Sequence, residues 1–178
     1  MSTSVDHDEP VDRAAPLTAW LEEGARPVAS WKIGTEYETF TFRNKDLAAV
    51  AYEGDDGIGA VLALLKQDAG WRAVYEGGRR LAVVHEQGSV VTYEPGGQIE
   101  FSGCPVATVH ETRVAIDHHC QRLRRVGNIL GIGSLAMGSH PKHTHEYLPW
   151  MPKERYRVMR DFLAPRGTWG PAMLSGTC

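Results

Sequence analysis

The sequence has 178 residues, a formal net charge of −3, and 42% hydrophobic and 23% charged residues. This composition is typical of a globular chain with a sizeable core. The near-neutral charge gives no electrostatic reason to expect a nucleic acid or an anionic membrane as partner. No apolar run approaches the ~20 residues of a spanning helix.

The polar N-terminus and the cysteines indicate where the domain begins and in which compartment the protein is located. We expect residues 1–14, which are polar and acidic, to form a disordered lead-in, not a signal peptide. Residues 15–178 then form one domain or part of one. Three widely spaced cysteines make neither a zinc pattern nor a disulfide framework. They indicate a reducing compartment, so we predict a cytoplasmic location.

The first third of the chain is predicted to contain two helices and a strand. A short helix over residues 18–23 ends at Gly24. Residues 31–42 are rich in Thr, Tyr, Phe and Ile, which favours a strand. Apolar residues then follow a helical stripe over residues 58–69, and Gly70 is the predicted stop.

Short strands dominate the middle of the chain. Residues 81–86 and 89–94 are strand-like, and Gln87-Gly88 between them suits a hairpin. A Pro-Gly-Gly turn then leads into a strand over residues 98–102. These consecutive runs favour antiparallel pairing.

The remaining elements are mixed. Thr108 and Glu111 match a capping box that opens a long helix, which Gly131 ends. A strand is predicted over residues 130–137 and a helix over residues 155–163. Antiparallel strands with interspersed helices predict the α+β class.

Histidines occur in two stretches that we interpret as structural. On the long helix, His118 and His119 are predicted to lie at the surface beside a buried Cys120. The stretch HPKHTH (residues 140–145) is interpreted as a polar loop, with a transition-metal site as the alternative. The residues predicted to form the buried stripe of the helix are Val109, Ile116, Cys120, Leu123 and Leu130.

Two acids share one face of the first strand. Strand alternation places Glu36 and Glu38 on the same side, about 7 Å apart at a rise of roughly 3.3 Å per residue. Carboxylates this close repel each other, and a divalent cation between them would relieve the repulsion. A solvated pair on an exposed edge is the alternative that spacing leaves open.

A second acidic set surrounds the Pro-Gly-Gly turn. Glu94 precedes the turn, and Gln98, Glu100 and Ser102 share one strand face after it. Carboxylates without Cys or His favour Mg²⁺ over zinc, and Mg²⁺ bound in this way keeps positions open for phosphate oxygens. Nucleotide-dependent phosphoryl chemistry is therefore the first hypothesis, although the sequence has no Walker loop.

Four strings resemble the plant and proteobacterial type of glutamate–cysteine ligase. They are GTEYETF at 34–40, EPGGQIEFSG at 94–103, MPKERYRVMR at 151–160 and the terminal MLSGTC. The resemblance implies a fold similar to the catalytic domain of glutamine synthetase, a curved and mainly antiparallel sheet flanked by helices. It also implies ligation of the L-glutamate γ-carboxylate to the L-cysteine amine through a γ-glutamyl phosphate. That reaction consumes ATP, requires Mg²⁺ and opens glutathione biosynthesis.

The resemblance assigns roles to individual residues. Arg155 and Thr177 are expected to act at the catalytic end of the site, near glutamate and phosphate. Gln98 joins the acids in binding Mg-ATP. The acids expected to hold the metal are Glu36, Glu38, Glu94 and Glu100.

Two positions depart from the family pattern. Tyr37 stands where the family often has His, off the acidic side of its strand, and Gly176 stands where many members have Arg. Family chains are considerably longer, so residues 15–178 are expected to be the N-terminal portion of a truncated catalytic domain, inactive in isolation. The alternatives are a related ligase with another amine acceptor and a non-catalytic remnant that binds Mg²⁺ or nucleotide. The sequence leaves the oligomeric state open.

Overall fold

The computed structural model describes residues 13–177, and the chain divides into two compact units between residues 32 and 33. The first unit contains helix α1 (Ala14–Glu23) and a 3₁₀ turn, Val28–Ser30. Helix α1 confirms the predicted helix and begins earlier, at Ala14. Residues 1–12 of the expected lead-in lie outside the described residues, so the predicted domain limits stay predictions.

The second unit is built on an open six-stranded sheet in which every pairing is antiparallel. Its strands are β1 (Glu36–Arg43), β2 (Trp71–Glu76), β3 (Arg79–His85), β4 (Val90–Tyr93), β5 (Ile99–Ser102) and β6 (Ile132–Leu135). The spatial order is β2-β3-β4-β5-β1-β6. Strands β2 to β5 therefore pair with their neighbours in sequence, whereas β1 lies between β5 and β6.

One predicted strand has different bounds in the structure, and another strand was not predicted. Strand β1 begins at Glu36, not at residue 31, because Ile33 makes only an isolated bridge to Val106. Strand β2 was not predicted. Gly77 and Gly78, both with positive φ, form the turn between β2 and β3, and a Gly-Gly pair is a hairpin signal that the sequence displays openly.

Four helices complete the unit: α2 (Ile58–Leu65), α3 (Val109–Leu130), α4 (Glu154–Leu163) and α5 (Trp169–Met173). Helix α2 is shorter than predicted, and Gly70, with φ of 78°, lies in the turn that follows it. The capping box of α3 is confirmed. Thr108 Oγ1 accepts from the Glu111 backbone N–H at 3.2 Å, and the Glu111 carboxylate accepts from the Thr108 N–H at 2.9 Å.

Helices α2 and α3 cover the apolar side of the sheet. Leu62 and Leu65 of α2 and Leu123 of α3 pack in one core with Ile99 and Phe101 of β5. Alternation along β1 and β5 leaves the other side of these strands partly exposed. The helices thus give the sheet one buried side and one accessible side.

The buried face of α3 differs from the prediction. His119 is buried with 1% exposure, stacked on Phe101 at 4.7 Å between ring centroids, while Val109 is exposed. Cys120 is a half-buried free thiol. The stripe is rotated because an imidazole fills a core position on the helix. Its buried residues are His119, Leu123, Val126 and Gly127.

The mixture of helices with an antiparallel sheet confirms the α+β class. The closer likeness to glutamine synthetase stays a prediction. Within the described part of the chain, no helix combines the length and the apolar character needed to cross a bilayer.

Candidate functional site

Three neighbouring strands bring the predicted acids to one side of the sheet. The register places Glu38 of β1 opposite Glu100 of β5, and Glu100 opposite Thr92 of β4. Directly opposed residues have Cβ atoms about 5 Å apart. The four carboxylates Glu36, Glu38, Glu94 and Glu100 follow this alternation, and we call them the acid face.

The acid face is open at one end and covered at the other. Glu36 is exposed, and Glu38 and Glu100 are half-buried. Phe40, the next residue of β1 on this side, is buried against His140, with ring centroids 5.4 Å apart. The loop that contains His140 therefore closes this side of β1 beyond the acids.

Glu94, which directly follows β4, is half-buried, and its pKa departs strongly from the ordinary value. The pKa of Glu94 is raised to about 7, chiefly by burial and also by its hydrogen bond with the Glu100 carboxyl, while Lys153 and Arg155 oppose the shift. A carboxyl with this pKa is destabilised in its charged form. Added positive charge at this position would therefore bind favourably.

Lys153 supplies positive charge from the segment before α4. Its Nζ donates to Thr92 Oγ1 at 2.7 Å, to the Tyr93 carbonyl at 2.7 Å and to Tyr156 Oη at 3.0 Å. Burial lowers the pKa of Lys153 to about 8, and Glu94 opposes that shift. An ammonium has three N–H donors, and all three are used here. Lys153 therefore fixes α4 against β4 beside the acids.

Tyr156 and Arg155 continue this contact. Tyr156 Oη donates to the Tyr93 carbonyl at 2.5 Å and lies 3.3 Å from Glu94 Oε1. Arg155 Nη2 lies 3.4 Å from the same Glu94 oxygen, and its side chain is 62% exposed. The structure thus places Arg155, a predicted site residue, at the rim of the acid face with room to contact a ligand.

Gln98 and Thr177 lie at the end of the site near the chain terminus. Gln98 is fully buried, and its Nε2 donates to the Gly176 carbonyl at 2.6 Å. Thr177 Oγ1 donates to the Met137 carbonyl at 2.5 Å. Gln98 thereby links the Pro-Gly-Gly turn to the terminal motif. Its Oε1 has no hydrogen-bond partner among the described residues.

Within residues 13–177, no group of three or more His, Cys, Asp or Glu side chains is close enough together to hold a metal ion. The acid face supplies only oxygen donors, spread over three strands, and this chemistry fits Mg²⁺. The four predicted ligands therefore match Mg²⁺ in donor type, but no three of them lie close enough together to hold the ion by themselves.

Lys153 and Tyr156 were not among the predicted site residues, although both belong to the motif MPKERY. Their spacing of three residues is the usable signal, since it places both side chains on one side of a helix start. Their contacts with β4 depend on tertiary packing. His140, expected in a polar loop, is buried with 8% exposure.

Comparisons with known proteins agree with the motifs. The model of glutamate-cysteine ligase family 2 matches residues 32–178. The chain is 34% identical to the chloroplastic glutamate–cysteine ligase of Brassica juncea and 34% identical to that of Arabidopsis thaliana. Each alignment covers 100% of this chain but 35% and 34% of the relative, so the chain spans about a third of their length.

Proposed function

The chain belongs to glutamate–cysteine ligase family 2, and we propose that it forms part of the site of an ATP- and Mg²⁺-dependent glutamate–cysteine ligase. The reaction joins the γ-carboxylate of L-glutamate to the amine of L-cysteine through a γ-glutamyl phosphate, the first step of glutathione biosynthesis. One observation carries the proposal. The register of β1 and β5 sets Glu38 of one family motif opposite Glu100 of another.

The acid face suits phosphoryl transfer. That chemistry depends on positioning and on neutralising phosphate charge, with little covalent participation by the protein. Mg²⁺ that enters together with the nucleotide phosphates would supply the neutralising charge at the acid face, because no three of its acids lie close enough to hold the ion by themselves. The chain itself supplies a rigid strand platform, so the carboxylates keep their spacing when the nucleotide enters.

The basic residues orient the substrates. Arg155, exposed beside Glu94, is proposed to bind a substrate carboxylate or phosphate oxygen, and a guanidinium can do so with two parallel hydrogen bonds. Lys153 has all three donors engaged, so its role is to hold α4 and balance Glu94. Gln98 and Thr177 are proposed to shape the end of the site near the terminal motif.

The cellular compartment and the substrates of the reaction are also proposed. Cys104 and Cys120 are free thiols, which supports a reducing compartment, and the predicted cytoplasmic location stays a prediction. Both relatives carry the word chloroplastic in their names. The proposed partners are L-glutamate, L-cysteine and ATP, with neither nucleic acid nor membrane.

The test uses the complete gene product that contains this chain. ADP release is measured with glutamate, cysteine and Mg-ATP, each omitted in turn, and we expect turnover only when all are present. Glu100→Gln removes one acid without changing its size and is expected to lower turnover by about 100-fold or more, an effect typical of a lost electrostatic contact. Glu86→Gln, an exposed acid outside the acid face, is the matched control.

Three outcomes would redirect the proposal. Wild-type turnover in Glu100→Gln would remove the acid face from catalysis. Equal rates with other amines would favour a related ligase with a different acceptor. Binding of Mg-ATP without ADP release under any substrate combination would favour a binding remnant.

A further inference from the structure

A cavity of ≈ 520 Å³ lies on the helix-covered side of the sheet, between α3 and the β1–β6 pair. We call it the back cavity. Tyr37 and Thr39 of β1 line it, and they alternate with Glu36 and Glu38, so it lies behind the acid face. Its volume is within the range of small-molecule sites.

Thr39 presents a buried polar atom without a partner. The residue is 3% exposed, and its Oγ1 makes no hydrogen bond within the described residues. A buried hydroxyl in this condition is destabilising, and most such groups in folded proteins are satisfied. Thr39 lines the back cavity, so a polar group inside the cavity would be able to satisfy this hydroxyl after a rotation of the threonine side chain.

Arg124, an exposed residue of α3, is the one charged side chain among the described residues that line the back cavity. Its lining contains one arginine and no Asp or Glu, and Asn44 and Asn128 add amide groups. Within residues 13–177, Arg124 forms no ion pair. Three other arginines of α3, Arg113, Arg122 and Arg125, each pair with an aspartate at 3.6, 2.6 and 2.5 Å.

We propose that the back cavity binds a small organic anion. Its carboxylate or phosphate group pairs with Arg124, and a second polar group reaches the Thr39 hydroxyl. The inference is independent of the chemistry proposed for the acid face, because the two lie on opposite sides of β1. Both anionic groups share the chemistry that a free guanidinium recognises.

The full chain is titrated with two anionic probes and a neutral control. Binding is measured from the chemical shifts of the backbone amides in NMR spectra. Succinate represents carboxylates, glycerol 3-phosphate represents phosphates, and succinamide has the size of succinate without charge. We expect saturable shifts at Tyr37, Thr39 and Asn128 with at least one anion and none with succinamide. Whichever anion binds more tightly identifies the class of charged group.

Matched variants separate this site from general attraction of anions. Arg124→Gln is expected to weaken binding about 10-fold, since it removes a charge-assisted contact. Arg113→Gln removes the same charge from the same helix, outside the cavity, and is expected to change affinity less than about twofold. Equal effects of the two substitutions would overturn the proposal.

Thr39→Val tests the buried hydroxyl. It keeps the shape of the side chain and removes an unsatisfied group, so we expect a folded protein with unchanged or higher thermal stability. Binding of the anion is expected to weaken about fivefold, the loss of one hydrogen bond. An affinity that is unchanged in both Thr39→Val and Arg124→Gln would show that the back cavity is not an anion site. The absence of saturable shifts with either anion would show the same.

Discussion

The two sides of β1 carry different kinds of side chain, and these have opposite effects on stability. On one side, Glu38 faces Glu100 across the register, and the acids are kept partly accessible. On the other side, Tyr37 is paired with Phe101 under the buried ring of His119. One side thus gathers like charges, which costs stability, while the other buries aromatic surface, which provides it.

The two sides of the sheet therefore differ in how well they tolerate substitution. Stability resides in the helix-covered side, and the proposed chemistry resides on the acid face and in the basic residues beside it. Substitutions on the two sides are therefore expected to differ in sign as well as in size.

The largest expected effect is on the helix-covered side. Phe101→Ala removes a ring that is 4% exposed and is expected to lower the free energy of unfolding by about 4 kcal/mol. Urea denaturation measures it. Glu36→Gln on the opposite side of the sheet is the control, with an expected change within about 0.5 kcal/mol. A loss under about 1 kcal/mol for Phe101→Ala would contradict the division between the sides.

Lys153 is the exception on the accessible side, since it is buried and bonded to Thr92, Tyr93 and Tyr156. Lys153→Met removes the ammonium donor from Thr92 and Tyr156 and one of the two cations beside Glu94, where Arg155 remains. We expect the free energy of unfolding to fall by about 3 kcal/mol, as for other broken buried charge contacts. Arg157→Met, on the exposed side of α4, should leave stability nearly unchanged in the same denaturation assay. An equally small effect of both substitutions would show that Lys153 does not fasten α4.

His119 links the helix-covered side to pH. Burial lowers the pKa of His119 to about 3, below its usual value near 6.5, and Arg122 adds to the shift. The unfolded chain then binds the proton more readily, so the contribution of His119 is complete above pH 6.5. It is lost as pH falls, by about 1.4 kcal/mol per pH unit until pH 3.

The measurement compares denaturation of the wild type and His119→Phe between pH 7 and pH 5. The raised pKa of Glu94 acts in the opposite direction, because its contribution decreases as pH rises from 4.5 towards 7. Glu94 makes the same contribution in both proteins. The difference between their free energies of unfolding therefore reports on His119 alone. Parallel pH profiles would show that the imidazole is not held neutral.

The smallest expected effect is a gain of stability. Glu100→Gln removes the negative charge opposite Glu38 and beside Glu94, and we expect unfolding to cost about 0.5 kcal/mol more at pH 8. Glu36 faces Ser102 in the register, so Glu36→Gln should stabilise less. A destabilised Glu100→Gln protein would indicate that the acid face is held by attraction to Lys153 more than it is strained by repulsion.

Local patterns predicted much of the acid face. Alternation placed Gln98 and Glu100 on one strand side, and the motif strings supplied the acids of both strands. The pairing of Glu38 with Glu100 could not be predicted from local patterns, because the register between strands that are distant in sequence depends on the whole sheet. Lys153 was missed for a similar reason, since its partners on β4 are about 60 residues away.

The helices show the same division between local and tertiary information. Thr108, Glu111 and Gly131 predicted both ends of α3, because caps are local hydrogen bonds. The buried face was predicted one step out of phase because His119 was counted as polar, whereas stacking on Phe101 makes its ring a core group. Strand β2 was missed although the Gly77-Gly78 turn marks it.

The strand order also has a consequence for how the chain folds. Strands β2 to β5 pair through short connections, but β1 must pair with β5 and β6, which lie far along the sequence. Pairings of high sequence separation form slowly. We therefore expect the insertion of β1 to be a late step of folding, so that Glu36 and Glu38 meet Glu94 and Glu100 only after β4 and β5 have paired.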